Sequence, residues 1–138
     1  RPQTIGQLLV DSPAGLLAWI VEKFQEWTDP AAKLPEDAVD RDRILTDVSI
    51  YWFTATAGSA AHTYYERFND PGMWTPKERS TVPTAVAVFT TDVSIRSFAN
   101  KVHNVVHWSE FDRGGHFAAL EAPDLLTADI REFFRTLT

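Results

Sequence analysis

Thr84-Ala85-Val86-Ala87-Val88-Phe89 decides the fold class. The run is continuously apolar after its first residue and partly β-branched, and a strand without a polar face is one covered on both sides, as in a parallel sheet. Outward from it, the pattern from about Val93 to Lys101 predicts a helix with Ile95, Phe98 and Val102 on its inner side. Asn104-Val105-Val106-His107-Trp108 reads as a second strand, and two strands joined by a helix predict a right-handed βαβ unit. Pro123 opens a last helix, whose expected buried stripe is Leu126, Ile130, Phe133, Phe134 and Leu137. The second half of the chain is therefore of the α/β class.

In an open α/β sheet, ligands sit beyond the carboxyl ends of the strands. Two residues with useful chemistry follow the two predicted strands. His116 lies in Arg113-Gly114-Gly115-His116-Phe117, where paired glycines permit a sharp turn, and Asp92 follows the strand that ends at Phe89. Imidazole titrates near neutral pH and can act as a base, and a carboxylate bonded to one ring nitrogen fixes its tautomer. Neighbouring parallel strands would bring the two loops within hydrogen-bonding reach. Two plainer readings stand beside this one: a helix-entry turn whose histidine fills space, and an Asp92 that caps the next helix.

The first half reads as helical. Ser12 as N-cap and Pro13 at the first position start a helix to about Thr28, with Leu17, Ile20, Val21, Phe24 and Trp27 on one stripe. Residues 29–40 carry Pro30, Pro35 and several charges without periodicity, and read as a mobile surface connection. Ile44, Leu45, Val48, Tyr51, Trp52 and Ala55 recur at helical spacing, so a second helix is expected from about Asp40 to Ala57, stopped by Gly58. Ser59 then caps a third helix, through Arg67, that carries Tyr64 and Tyr65. Asn69-Asp70-Pro71-Gly72, Pro76 and Pro83 break the pattern and place a boundary between a helical segment, 1–75, and a strand-and-helix segment, 76–138.

Composition narrows the function classes. A chain of 138 residues, 44% hydrophobic and 23% charged, has the profile of a folded soluble unit. Nineteen acidic against thirteen basic residues, with no basic cluster, argue against nucleic acid and anionic membranes as partners. Without cysteine there is neither a disulfide framework nor a thiolate nucleophile, which fits a cytoplasmic protein. The longest apolar run, Ala85 to Phe89, is strand-sized, and Arg1-Pro2-Gln3 shows no signal-peptide pattern. Because Arg1 is not methionine, the chain is expected to be part of a longer protein.

Several separated motifs carry a specific resemblance. Pro83-Thr84 into an apolar strand, Asp92, then Arg113-Gly114-Gly115-His116-Phe117-Ala118-Ala119-Leu120-Glu121 and a proline-started helix resemble the carboxyl-terminal part of a microsomal-type epoxide hydrolase of the α/β-hydrolase fold. Upstream, Asp11-Ser12-Pro13-Ala14-Gly15-Leu16-Leu17-Ala18-Trp19-Ile20, Glu22-Lys23-Phe24, Tyr51-Trp52, Gly58-Ser59 and Tyr64 resemble that family's helical lid. The resemblance implies that His116 is the catalytic histidine, Asp92 the acid that orients it, and Tyr64 the second of two lid tyrosines that donate to the epoxide oxygen. It implies a small-molecule epoxide as substrate, a vicinal diol as product, and no metal or organic cofactor. The family's nucleophile is an aspartate on a strand-to-helix elbow, and no Gly-x-Asp-x-Gly or Gly-x-Ser-x-Gly elbow occurs between Arg1 and Thr138. The implied partner is therefore the amino-terminal part of the same enzyme, without which the chain is expected to be inactive. A homo-oligomer is left open.

Two other readings compete. A haloalkane dehalogenase shares the acid and the histidine but holds halide with indole or amide donors, so a lid tyrosine favours the epoxide. A non-catalytic binding module of the same fold would keep the histidine loop without turnover. His103 and His107 stand four apart around a strand, where that spacing does not converge on a metal. His62 is expected to face solvent, Trp52 and Phe53 are the foremost candidates for a pocket wall, and Glu121 and Asp124 are expected to serve the start of the last helix.

Overall fold

Proline begins helices at Pro2, Pro13, Pro35 and Pro123, positions where its missing N–H has no intrahelical partner to lose. The computed structural model describes residues 1–75 and 78–137. In chain order its elements are α1 (Pro2–Asp11), α2 (Pro13–Trp27), α3 (Pro35–Ala38), α4 (Arg41–Phe53), α5 (Ala57–Asn69), a 3-10 turn (Pro71–Trp74), β1 (Pro83–Val88), α6 (Arg96–Val102), β2 (Asn104–Glu110), α7 (Ala118–Glu121) and α8 (Pro123–Arg135). They divide into two units, Arg1–Glu26 with Val39–Pro76 and Trp27–Ala38 with Lys77–Thr138. Pro76, where the sequence places the boundary, lies outside the described residues, and 27–38 groups with the second unit.

The first unit is all helix. Ser12 caps α2 as expected, its hydroxyl accepting from Gly15 N at 3.1 Å, and Asp40 caps α4 by accepting from Asp42 N and Arg43 N. Leu9, Leu16, Val48, Ala57 and Ala61 form the core, with Leu17, Trp19, Ile20 and Trp52 packed at its edge. Leu16, outside the expected stripe, is only 1% exposed, whereas Leu17 and Ile20 are half-buried. The difference traces to α1, a helix that the sequence reading did not anticipate, which adds Leu9 to this core. Gly58 does not stop α4. That helix ends at Phe53, before Ala55 turns left-handed at φ 56°, and Gly58 lies in the first turn of α5. There it lets α1 approach closely, for a Cβ on Gly58 would stand 3.1 Å from Val10 Cγ1. No single helix among the described residues is long and apolar enough to cross a membrane; α1 and α2, which pass on length and composition only as a pair, are bent by 118°.

The second unit holds the sheet. β1 and β2 run parallel, from Pro83 opposite Asn104 to Val88 opposite Glu110, with one irregularity between Thr84 and Ala85. The α/β class and the crossover helix are thus as the sequence predicts. The faces are not. Ile95, which precedes α6, and Phe98 on it are more than half exposed, and Ile130 and Phe134 on α8 face outward, as does Leu137 just beyond that helix. The buried side of α8 presents Phe133, as expected, together with Asp129, 6% exposed. Asp129 Oδ1 accepts from Ser109 Oγ at 2.5 Å and lies 2.7 Å from His107 Nε2, so a carboxylate rather than a methyl group faces β2. His107 is therefore part of this cluster, with Ser109 Oγ 3.0 Å from the same nitrogen. Residues 29–40, expected as a mobile surface connection, contain α3 and the buried Pro35.

A buried polar cluster is stabilising only while every member is bonded. Asp129→Ala would leave His107 and Ser109 without their shared acceptor, and is expected to destabilise the folded protein by about 1–3 kcal/mol in urea unfolding. An unchanged unfolding midpoint would show that the cluster does not hold α8.

Candidate active site

The histidine loop begins where β2 ends and is held by backbone from far earlier in the chain. Gly114 is left-handed at φ +84°, and a Cβ there would lie 3.0 Å from Ala122 Cβ and 3.1 Å from Phe89 Cδ1. Gly115 is tighter still. A Cβ on it would fall 2.6 Å from Thr28 C and 2.7 Å from both Asp29 N and Trp27 O, all backbone atoms that cannot rotate away. The sequence thus needs two glycines here for two reasons, conformation at the first and contact at the second.

Four consecutive N–H groups of the loop have acceptors. Gly114 N donates to Asp29 Oδ2 at 2.7 Å, Gly115 N to Glu121 Oε2 at 2.9 Å, His116 N to Trp27 O at 2.8 Å and Phe117 N to Glu121 Oε1 at 2.9 Å. The His116 ring stands edge-on to Trp27, centroids 5.1 Å apart, and at the same distance from Phe117. His116 itself is exposed. Arg113 pairs with Asp124, and that guanidinium, first among the causes, holds the Asp124 carboxyl below its usual range. A lowered carboxylate keeps its charge further into acid, so the pair is lost only as pH falls through that lowered value.

Of the residues singled out in the sequence, Asp92 and His116 lie in loops that do meet. Thr90 N and Thr90 Oγ1 both donate to Gly114 O, at 3.0 and 2.7 Å, tying the loop after β1 to the loop after β2. No hydrogen bond joins the two side chains, however: Asp92 is exposed, and its Oδ1 accepts from Ser94 N at 2.5 Å. Local backbone satisfies the carboxylate first, as an Asx turn does. Tyr64 and Tyr65, in the first unit, are about equally exposed, 52% and 49%, and burial does not single one out. His62, expected to face solvent, is half-buried beside a cavity lined by Gln3, Gly6, Val10, Gly58 and Ser59. Phe53 is 84% exposed, Trp52 packs on the core, and no group of three or more His, Asp or Glu among the described residues could hold a metal. The sequence reading missed Asp29 and Thr90, and gave Trp27 only a place on a helix stripe. Glu121 serves the loop before α8 rather than the start of that helix, whereas Asp124 stands in the first turn of α8 as expected and also pairs with Arg113.

A parallel pair of strands with a glycine-delivered histidine beyond the second is the arrangement of an α/β sheet whose site lies at the carboxyl ends of its strands. No family model matches the chain. It is 38% identical over 99% of its length to epoxide hydrolase 1 of Sus scrofa, covering 32% of that protein. It is 34% identical over 94% of its length to juvenile hormone epoxide hydrolase 2 of Ctenocephalides felis, covering 30% of it. In fold it is similar to juvenile hormone epoxide hydrolase of Bombyx mori, with TM-score 0.83 and 28% identity over 99% of this chain and 37% of that one. It is also similar to Aspergillus niger epoxide hydrolase, with TM-score 0.78 and 35% identity over 100% and 34%. Along nearly its whole length the chain is similar to part of these epoxide hydrolases, and it spans about a third of the length of the relatives it matches.

Gly115→Ala forces a Cβ into fixed backbone and is expected to destabilise the folded protein by about 1–3 kcal/mol in thermal or urea unfolding. Wild-type stability in this variant would mean that the loop does not pack on 27–29 as described.

Proposed function

We propose that the chain is the carboxyl-terminal third, lid segment followed by last strands, of an enzyme that hydrolyses epoxides to vicinal diols. The observation that carries this reading is the homology to epoxide hydrolases along nearly the whole chain, in which the histidine loop stands at the carboxyl end of a parallel strand. A carboxylate from the amino-terminal part, acting as nucleophile, attacks an epoxide carbon. The C–O bond of the strained ring breaks, and Tyr64 donates its phenolic proton to the emerging alkoxide. A hydroxyalkyl ester results. His116 then takes a proton from water, the hydroxide adds to the ester carbonyl, the diol leaves as the carboxylate is restored, and the proton held by His116 returns through solvent to the Tyr64 phenolate.

In this scheme Asp92 orients the imidazole and stabilises its protonated form. Its present bond to Ser94 N uses one oxygen, and a carboxylate has several lone pairs, so a turn of the side chain could serve both partners. The dehalogenase reading accounts less well for a phenol in the lid, and the binding-module reading leaves a histidine held by four bonded amides without a task.

In the full-length protein acting on styrene oxide, Tyr64→Phe is expected to slow diol formation by about ten- to a thousandfold, the loss of one oxyanion donor, while Tyr65→Phe stays near wild type. The isolated 138-residue chain is expected to form no diol. Equal effects of the two tyrosine variants would remove Tyr64 from its role, and diol from the isolated chain would place the nucleophile within it.

A further inference from the structure

Glu121 has a place in the structure that the motif alone does not explain. It ends α7, a helix of four residues, and its carboxylate turns back over the start of that helix. Oε2 accepts from Asp29 N at 2.7 Å and from Gly115 N at 2.9 Å, and Oε1 accepts from Phe117 N at 2.9 Å. The two loop donors flank His116 on either side, and the third belongs to the segment whose backbone Gly115 touches. One side chain therefore joins both strands of chain that meet beneath the imidazole. Asp29 completes the arrangement from the other direction by accepting from Gly114 N.

We propose that Glu121 is a positioning residue for His116, fixing the imidazole through the amides on both sides of it and tying them to Asp29. Bonds from amide N–H to a carboxylate are about twice as strong as neutral ones, and three on one group hold the loop more firmly than van der Waals contact with Trp27 would. Neither carboxylate oxygen can be replaced by an amide nitrogen without loss. In Glu121→Gln one oxygen keeps the Oε2 bonds, but an NH2 would then face Phe117 N, donor against donor. The backbone after His116 is released while that before it stays tied. A base displaced by about an ångström loses on the order of a hundredfold in the step it catalyses.

This inference rests on the proposed function in one respect, that His116 acts in ester hydrolysis and not in ester formation. The two steps separate it from a structural role. In rapid-quench single turnovers of the full-length protein with styrene oxide, Glu121→Gln is expected to form the ester at close to the wild-type rate. The ester should then decay about ten- to a hundredfold more slowly, with Glu121→Ala slower again. Both steps slowed alike, or decay at the wild-type rate, would overturn the proposal. Should the wild type form no ester at all, the functional reading fails by itself, and amide hydrogen exchange decides the positioning claim. Gly115 and Phe117 are expected to be protected in the wild type, and Phe117 to lose at least tenfold in protection in Glu121→Gln, with β1 and β2 unchanged. Unaltered exchange at Phe117, or loss spread over the sheet, would contradict it.

Discussion

The contact between Gly115 and the backbone of Trp27, Thr28 and Asp29 constrains everything around the histidine. With a Cβ-to-backbone approach of 2.6 Å, no other residue fits at 115 without moving one of the two segments. That closeness puts Trp27 O within reach of His116 N and brings the Asp29 carboxylate to Gly114 N. Glu121 then serves both segments at once. It also explains why 27–38, on the helical side of the sequence boundary, groups with the sheet. The loop is thus built from three separated stretches, and its precision comes from hydrogen bonds to backbone rather than from a large apolar core.

The apolar faces left open on the second unit follow the same logic at a larger scale. Ile130 and Phe134 on α8 with Leu137 just beyond it, and Phe98 on α6 with Ile95 just before it, leave apolar surface exposed on one unit. The residues of β1, apolar on both faces, are only half-buried, and β1 pairs with β2 alone among the described residues. Continuous apolar strands of this kind suit a sheet with helices on both sides. The matched relatives are about three times as long as this chain.

What the sequence made legible was local. The apolar run before Phe89, the paired glycines and the Ser12-Pro13 start are short patterns with one physical cause each, and strands, loop and helix stand where those patterns put them. Where the reading failed, the cause was distant or two-sided. Nothing near Gly114 or Gly115 signals Asp29, whose carboxylate acts across 85 residues, and Glu121 reaches Asp29 N across 92. On α8, apolar periodicity selected the face with Ile130 and Phe134, but the half-buried His107 and Ser109 on β2 called for a carboxylate, so the helix turns Asp129 inward. Helix α1 carries no capping signal, for the residue before it is Arg1, whose side chain makes no cap bond. The Asp92 carboxylate shows the limit of topology: parallel neighbours bring two loops together, while a backbone N–H two residues on decides where the side chain points.

The account turns on His116 as the base that releases a covalent ester. The most direct test is intact-protein mass spectrometry of the full-length His116→Ala variant after exposure to styrene oxide. If the account holds, the variant gains the mass of one whole epoxide and keeps it, since ring opening proceeds and hydrolysis does not. A variant that stays unmodified, or that releases diol at the wild-type rate, would contradict it.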